Sequence, residues 1–342
     1  TYVNNSYASD TERPADKTGI NDLYAKYKKT VSITYNANEG SGAPSNTNGT
    51  CYYISKSGGI NKYPADLTVT SSEPTRTGYT FSGWNTAANG SGTNYAAGDS
   101  ISREANITLY AKWTPNTDTA YTVEHYVMTT TGAYPATATK TENKTGTTAA
   151  TLTLANLKDT SLEVANGIAY SEGKIGTTTA TTTTILADGS RVIKLYYVRS
   201  QYALTLTKGT GITAVTGAGT YYYGQSVAID ATVGTGYTWS KWSNGTTTKS
   251  TTITMPAAAL SLTANTTANK YSITYKDQGD ATFSGTHASG APTQHTYGTA
   301  TALKGATKTG YTFDGWFTAS DCSGTAVTSL GATSYTAGIT LY

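Results

Sequence analysis

Two cysteines in 342 residues cannot build a disulfide scaffold. Charge is scarce as well: 13% of residues are charged and the net charge is +3. That excludes the basic footprint of a nucleic-acid binder. No apolar run approaches the roughly 18 residues that a membrane-spanning helix needs, so no part of the chain is expected to insert in a membrane. The sequence opens at Thr1 without Met and shows no leader pattern, which leaves open a leader removed or never included. Catalytic signatures are missing too: no Gly-x-Ser-x-Gly elbow, phosphate-binding loop or zincin motif occurs. The three histidines, His125, His287 and His295, stand far from any Cys or acidic cluster. His125 reads as a strand residue; His287 and His295, eight apart, could chelate only weakly. No metal, cofactor or catalytic residue is expected, and Asp188 and Asp321 read as turn residues.

What the chain does have is 28 Tyr, 35 Gly and a great deal of Thr. Thr and Tyr suit a pleated, half-wet surface, whereas a helical chain would favour Ala, Leu, Glu and Lys. The composition predicts an almost purely β protein of several small domains. Period-two alternation supports this at Val31–Tyr35, Ile107–Trp113 and Val227–Val233. "RVIKLYYV" at Arg191–Val198 is apolar on both faces, as in a strand covered on both sides. One helix is expected, over Ala150–Gly167.

A cassette recurs along the chain: "GYTFSGW" at Gly78–Trp84, "GYTWSKW" at Gly236–Trp242 and "GYTFDGW" at Gly310–Trp316. In a regular strand Tyr79 and Phe81 share one face and Trp84 points to the other. A bulge near Gly83 would bring Trp84 round to join them. Lys241 stands at that place in the looser copy, so a positive φ is not required there in every module. Tyr79, Phe81, Trp84, Trp113, Tyr237, Trp239, Trp242, Tyr311, Phe313 and Trp316 are expected to form module cores. Large rings bury the most area per residue, which matters in a small module. The interval from Trp84 to Tyr110 is repeated from Trp316 to Tyr342, each in "ITLY". "LYAKYKK" at Leu23–Lys29 resembles "LYAKW" at Leu109–Trp113. The chain therefore reads as a window on a longer array.

"GYTFSGWNTAANGSGTNYAAGDSISREANITLYAKW" resembles the Listeria–Bacteroides repeat, the B-repeat type of internalin-like surface proteins. Tyr121–Arg199, with "VEHY" and "LYY", resembles the β-grasp repeat of mucin-binding proteins. Residues 201–268, with "GYTWSKW" and "ITMP", resemble a related bacterial repeat. The expected domains are 1–29, the end of a preceding repeat; 30–115, a B-repeat-like module; 118–199, a mucin-binding-like β-grasp module; 200–268, a bacterial-repeat module; and 270–342, a B-repeat-like module lacking its final residues. The resemblance implies a tandem array of β-grasp-like or β-sandwich-like modules. It also implies an extracellular, non-enzymatic segment of a bacterial surface protein, acting as stalk or adhesin. Its partners would be flanking repeats and host or cell-wall glycans or proteins. Self-association into an extracellular fibre is the alternative.

The joints at Thr114–Thr119, Ser200–Gln201 and Asn269–Lys270 are short, which predicts a semi-stiff rod. Modules of about 80 residues span roughly 30 Å, whereas a disulfide needs Cα atoms within about 7 Å. Cys51, in an inserted stretch around Asn46–Gly59, and Cys322, in a turn, would meet only if the rod folded back. Both could be exposed; free or buried thiols are the expectation, with a bridge between neighbouring molecules as the alternative. Lys26, Lys28 and Lys29 beside Tyr27 read as a solvated joint, with a polyanion contact as the sharper reading.

Overall fold

The computed structural model describes residues 25–56 and 59–342. Most of the expected end of a preceding repeat, residues 1–24, lies outside the described residues. Chain contacts divide the molecule into two compact units. The first holds residues up to 125 together with 138–158 and 172–195; the second holds 126–137, 159–171 and 196–342. Among the described residues the regular structure is almost all strand, as the Thr and Tyr content predicts.

Module one lies wholly in the first unit. Its strands are β1 (Lys26–Asn36), β2 (Thr47–Lys56), β3 (Gly59–Tyr63), β4 (Ala65–Thr68), β5 (Tyr79–Asn85), β6 (Asn94–Tyr95), β7 (Ser100–Arg103) and β8 (Ile107–Pro115). Six of them form one sheet in the order β3-β2-β1-β8-β5-β6, and β4 pairs with β7 separately. The first and last strands, β1 and β8, are parallel neighbours, with Ile33 opposite Ile107. Alternation along β1 buries Val31, Ile33 and Tyr35, which meet Leu67, Trp84, Ile101 and Leu109 in one core. Burying each such side chain contributes about 1.5–3 kcal/mol. The Lys26–Lys29 run is not a joint: it continues β1 without a break and pairs with Ile54–Cys51. The stretch expected to be an insertion is β2 itself.

Module two begins in the first unit. Here β9 (Thr119–Val127), β10 (Lys140–Gly146), β11 (Thr151–Thr153), β12 (Ile168–Ile175), β13 (Thr178–Thr179), β14 (Thr182–Thr184) and β15 (Val192–Arg199) contribute a sheet in the order β10-β9-β15-β12-β13. The helix expected over Ala150–Gly167 does not form. Its β-branched Thr151 and Thr153 enter a ladder with β14, and only two short 3-10 turns follow, Leu154–Leu157 and Thr160–Leu162. Nor is β15 covered on both faces. Ile193, Leu195 and Tyr197 are buried, but Val192 and Val198 are 38% and 37% exposed. In the second unit Tyr196 stacks on Tyr126 at 5.1 Å and meets the edge of Tyr134 at 4.9 Å.

Modules three and four lie in the second unit. Module three comprises β16 (Gln201–Lys208), β17 (Ile212–Thr216), β18 (Gly219–Tyr222), β19 (Ser226–Val233), β20 (Tyr237–Trp242), β21 (Thr251–Thr254) and β22 (Leu260–Ala268). It repeats the plan: one sheet runs β18-β16-β22-β20 with β16 and β22 parallel, and a second runs β17-β19-β21. Leu204, Ile229, Trp242, Met255 and Leu262 fill the space between them. In module four β23 (Lys270–Asp277) lies between an antiparallel Gln294–Thr296 strand and a parallel Ile339–Leu341 strand. Its core holds Ile273, Trp316, Leu330, Ile339 and Leu341. Modules one, three and four thus each close a core of their own.

Candidate functional site

The recurring cassette forms β5 in module one and β20 in module three, and its physical role is visible in the ring contacts. In β5 the pairing with β8 slips between Phe81 and Trp84, and Gly83 takes φ +111° at the slip. The bulge brings Trp84, 0% exposed, against Tyr35 at 4.8 Å and Phe81 at 5.2 Å. Trp113 meets Phe81 edge-on at 5.8 Å, and its indole N–H donates to the carbonyls of Ala37 and Asn38. Tyr79 is half-buried under the Arg76 guanidinium, 4.0 Å from its ring centre. Module three repeats the slip at Trp239–Lys241, with Trp242 buried, Trp239 at 5.5 Å and Tyr237 half-buried. In module four Trp316 is buried, with Phe313 at 5.1 Å and Tyr275 at 4.5 Å. Tyr311 and Phe313, however, are 73% and 40% exposed and are not core residues.

Sequence reasoning named the joints by position but missed how their residues bond. Each linker contributes one residue that bonds on both sides through its own peptide groups. Asn116, Ser200 and Asn269 donate their N–H to the carbonyls of Gly78, Gly167 and Gly236, each at 2.9 Å. Their own carbonyls accept from Thr148, Tyr223 and Tyr297 of the module that follows, at 2.8–2.9 Å. Two of the joints add a side-chain bond, Thr80 to the Asn116 carboxamide and Thr238 to that of Asn269. The middle joint uses a cation: the Arg199 guanidinium donates to the carbonyls of Met128 and Tyr223. The cassette's opening Gly-Tyr-Thr is therefore an inter-module contact, and its closing Trp is the core. Asn85 was missed as well. It is buried, and its carboxamide bonds Ala87, Gly90, Gly92 and Asn94, which shapes the loop after the cassette.

The remaining candidates are scattered. Cys51 is a free, buried thiol that donates to the Arg103 carbonyl at 2.8 Å. Cys322 is half-exposed. His125 is buried on β9 with Glu142 3.6 Å away. His287 stacks on Phe283 at 4.4 Å, while His295 is buried against Thr301. Among the described residues no three His, Cys, Asp or Glu side chains gather around a metal-sized space. No described helix is long and apolar enough to cross a membrane.

One charged cluster lies on β10. Lys140 and Lys144 flank Glu142 on one strand face, at 2.8 and 2.9 Å, and their hydrogen bonds hold its carboxyl at about 2 against an ordinary 4.5. Because the folded value is the lower one, the stabilisation is complete above the ordinary value and is lost as pH falls toward about 2. A carboxyl-carbon NMR titration is expected to give that midpoint for Glu142. Replacing both lysines by Ala should return it toward 4.5; an unmoved midpoint would exclude the lysines as the cause.

Residues 32–112 and 271–342 match the Listeria-Bacteroides repeat domain, and residues 202–270 match the divergent InlB B-repeat domain. Three of the four modules are repeats of these kinds. Neither match reaches the second module, Tyr121–Arg199. No curated protein matches the chain. The repeats carry their cassettes in the same structural place, with the Trp in the core and the Gly at the edge of the module. Such repeats are typical of bacterial surface proteins, and the three matched modules are repeats of that type.

Proposed function

We propose that the chain is a non-enzymatic, extracellular spacer of a bacterial surface protein, a stalk segment that holds other parts of an adhesin away from the cell. The observation that carries this reading is the separateness of the cores. Modules one, three and four each close their own, and at each joint between successive modules one linker residue bonds on both sides. Modules built this way add length without needing one another's interiors. The cassette rings are mostly spent inside the modules, which leaves little of the motif for a ligand. Binding of host or cell-wall glycans would have to use rings that face solvent, such as Tyr27, Tyr52 and Tyr63.

Those same residues favour one second reading, lateral packing into a fibre. Tyr27, Tyr52, Ile60 and Tyr63 are 55%, 37%, 62% and 47% exposed on the β1-β2-β3 edge of module one. Tyr offers apolar area with a polar tip, which suits a contact between copies. Electron micrographs of the purified chain over a wide concentration range decide between the two. Separate particles at every concentration are the expected result. Ordered filaments would overturn the spacer reading in favour of the fibre.

A further inference from the structure

A cleft of about 870 Å³ opens beside the first joint, wholly within the first unit. Its aromatic side is the part of the cassette region that the core does not consume. Trp84 is fully buried, whereas Tyr79, Phe81 and Trp113 are half-buried and line the cleft. The opposite walls are residues 39–41 and 73–77. Ser41 and Thr75 tie these walls together through two backbone hydrogen bonds of 2.8 and 2.9 Å.

The wall at residues 39–41 is held in an unusual shape. Asn38 and Glu39 are successive non-glycine residues in the left-handed region, at φ +47° and +69°. Trp113 fixes them: its indole N–H donates to the carbonyls of Ala37 and Asn38, and a Cβ on Gly40 would stand 2.5 Å from its ring. This turn brings the Glu39 carboxylate onto the Arg76 guanidinium, which lies 4.0 Å over the Tyr79 ring. Module three closes the corresponding place. There Tyr297 of the following module fills the space beside Gly236 and meets Tyr237 edge-on at 5.4 Å. At Gly78 the following module presents Ala187, which has no ring to close the cleft. Arg76 is the one cation among the lining residues, and Glu39 already pairs with it. The exposed Glu73 carboxylate has no ion-pair partner among the described residues. A phosphate, sulfate or carboxylate ligand would therefore meet net negative charge.

We propose that this cleft binds a short oligosaccharide free of acidic groups. The apolar faces of its pyranose rings would lie on the open parts of Phe81 and Trp113. Its hydroxyls, which donate as well as accept, would bond the Glu73 carboxylate and the Thr77 hydroxyl. Apolar rings with a few placed polar groups make up a site of this kind, and the volume suits it. Such a site goes beyond the spacer reading and does not depend on it.

The test titrates the whole chain with cellohexaose, the N-acetylglucosamine hexamer, the glucosamine hexamer, a heparin hexasaccharide and a lysine decapeptide, following the Trp113 indole N–H by NMR. At least one of the first three is expected to move that signal saturably at millimolar concentration or below. Glu73→Gln should weaken the same ligand about tenfold, and Tyr79→Leu about fivefold. No saturable shift from any of the three would overturn the proposal. So would heparin binding as tight as theirs, or saccharide binding that both substitutions leave intact. A shift from the lysine peptide alone would overturn it in favour of a cationic peptide. Amide exchange at Ile33 reports that module one remains folded in both variants.

Discussion

Trp84→Ala is expected to destabilise module one by about 3–5 kcal/mol, the largest effect of any single truncation in that module. The indole is fully buried and touches Tyr35 and Phe81, and a cavity of its size cannot collapse between the six-stranded sheet and the β4–β7 pair. Faster amide exchange should appear on β1 and β8 and leave module three unaffected, because its core shares no residue with this one. Tyr311→Ala is the control. The residue comes from the same place in the motif as Tyr79 but faces solvent, so its loss should change stability by no more than about 0.5 kcal/mol. Equal costs for the two substitutions would remove the distinction drawn between the two ends of the cassette.

The second large effect is at a joint. Gly236→Ala places a Cβ 2.3 Å from the ring of Tyr297 while forcing φ +81° on a non-glycine residue. The backbone strain alone costs about 1–3 kcal/mol, and the ring must also move away. The Asn269 and Tyr297 amides, which bond Gly236 and Asn269, should then exchange much faster while the Trp242 and Trp316 cores stay protected. Gly310→Ala separates the two contributions. It carries the same backbone strain at φ +83° with no atom in the way. If Gly236→Ala leaves exchange at Tyr297 as it was, the glycine carbonyl does not hold the joint.

The sequence was most informative where one physical requirement controls several residues. Alternation in Val31–Tyr35 announces a half-buried strand because the pleat has a period of two. The odd spacing of Phe81 and Trp84 announces a bulge because three rings of one core must share a face, and the slip lies where Gly83 permits it. Contacts made by backbone groups left no such mark. Asn116, Ser200 and Asn269 act through N–H and C=O, which every non-proline residue carries, so their shared role is invisible in residue identity. Ala150–Gly167 misled because its Leu spacing suits a helix, while the partner that draws Thr151–Thr153 into a ladder lies some 30 residues further on, at Thr182–Thr184. Tyr311 and Phe313 misled because a motif fixes what a residue can pack against, and not whether the partner strand is there.

Within modules one, three and four the first and last strands run side by side in the same direction, so the chain enters at one end of that pair and leaves at the other. A force drawing those two points apart slides the neighbours lengthwise past each other. Every rung between them is strained at once, and none can be peeled away ahead of the rest. A module wired in this fashion resists tension along the chain far better than it resists being prised open from a hairpin edge.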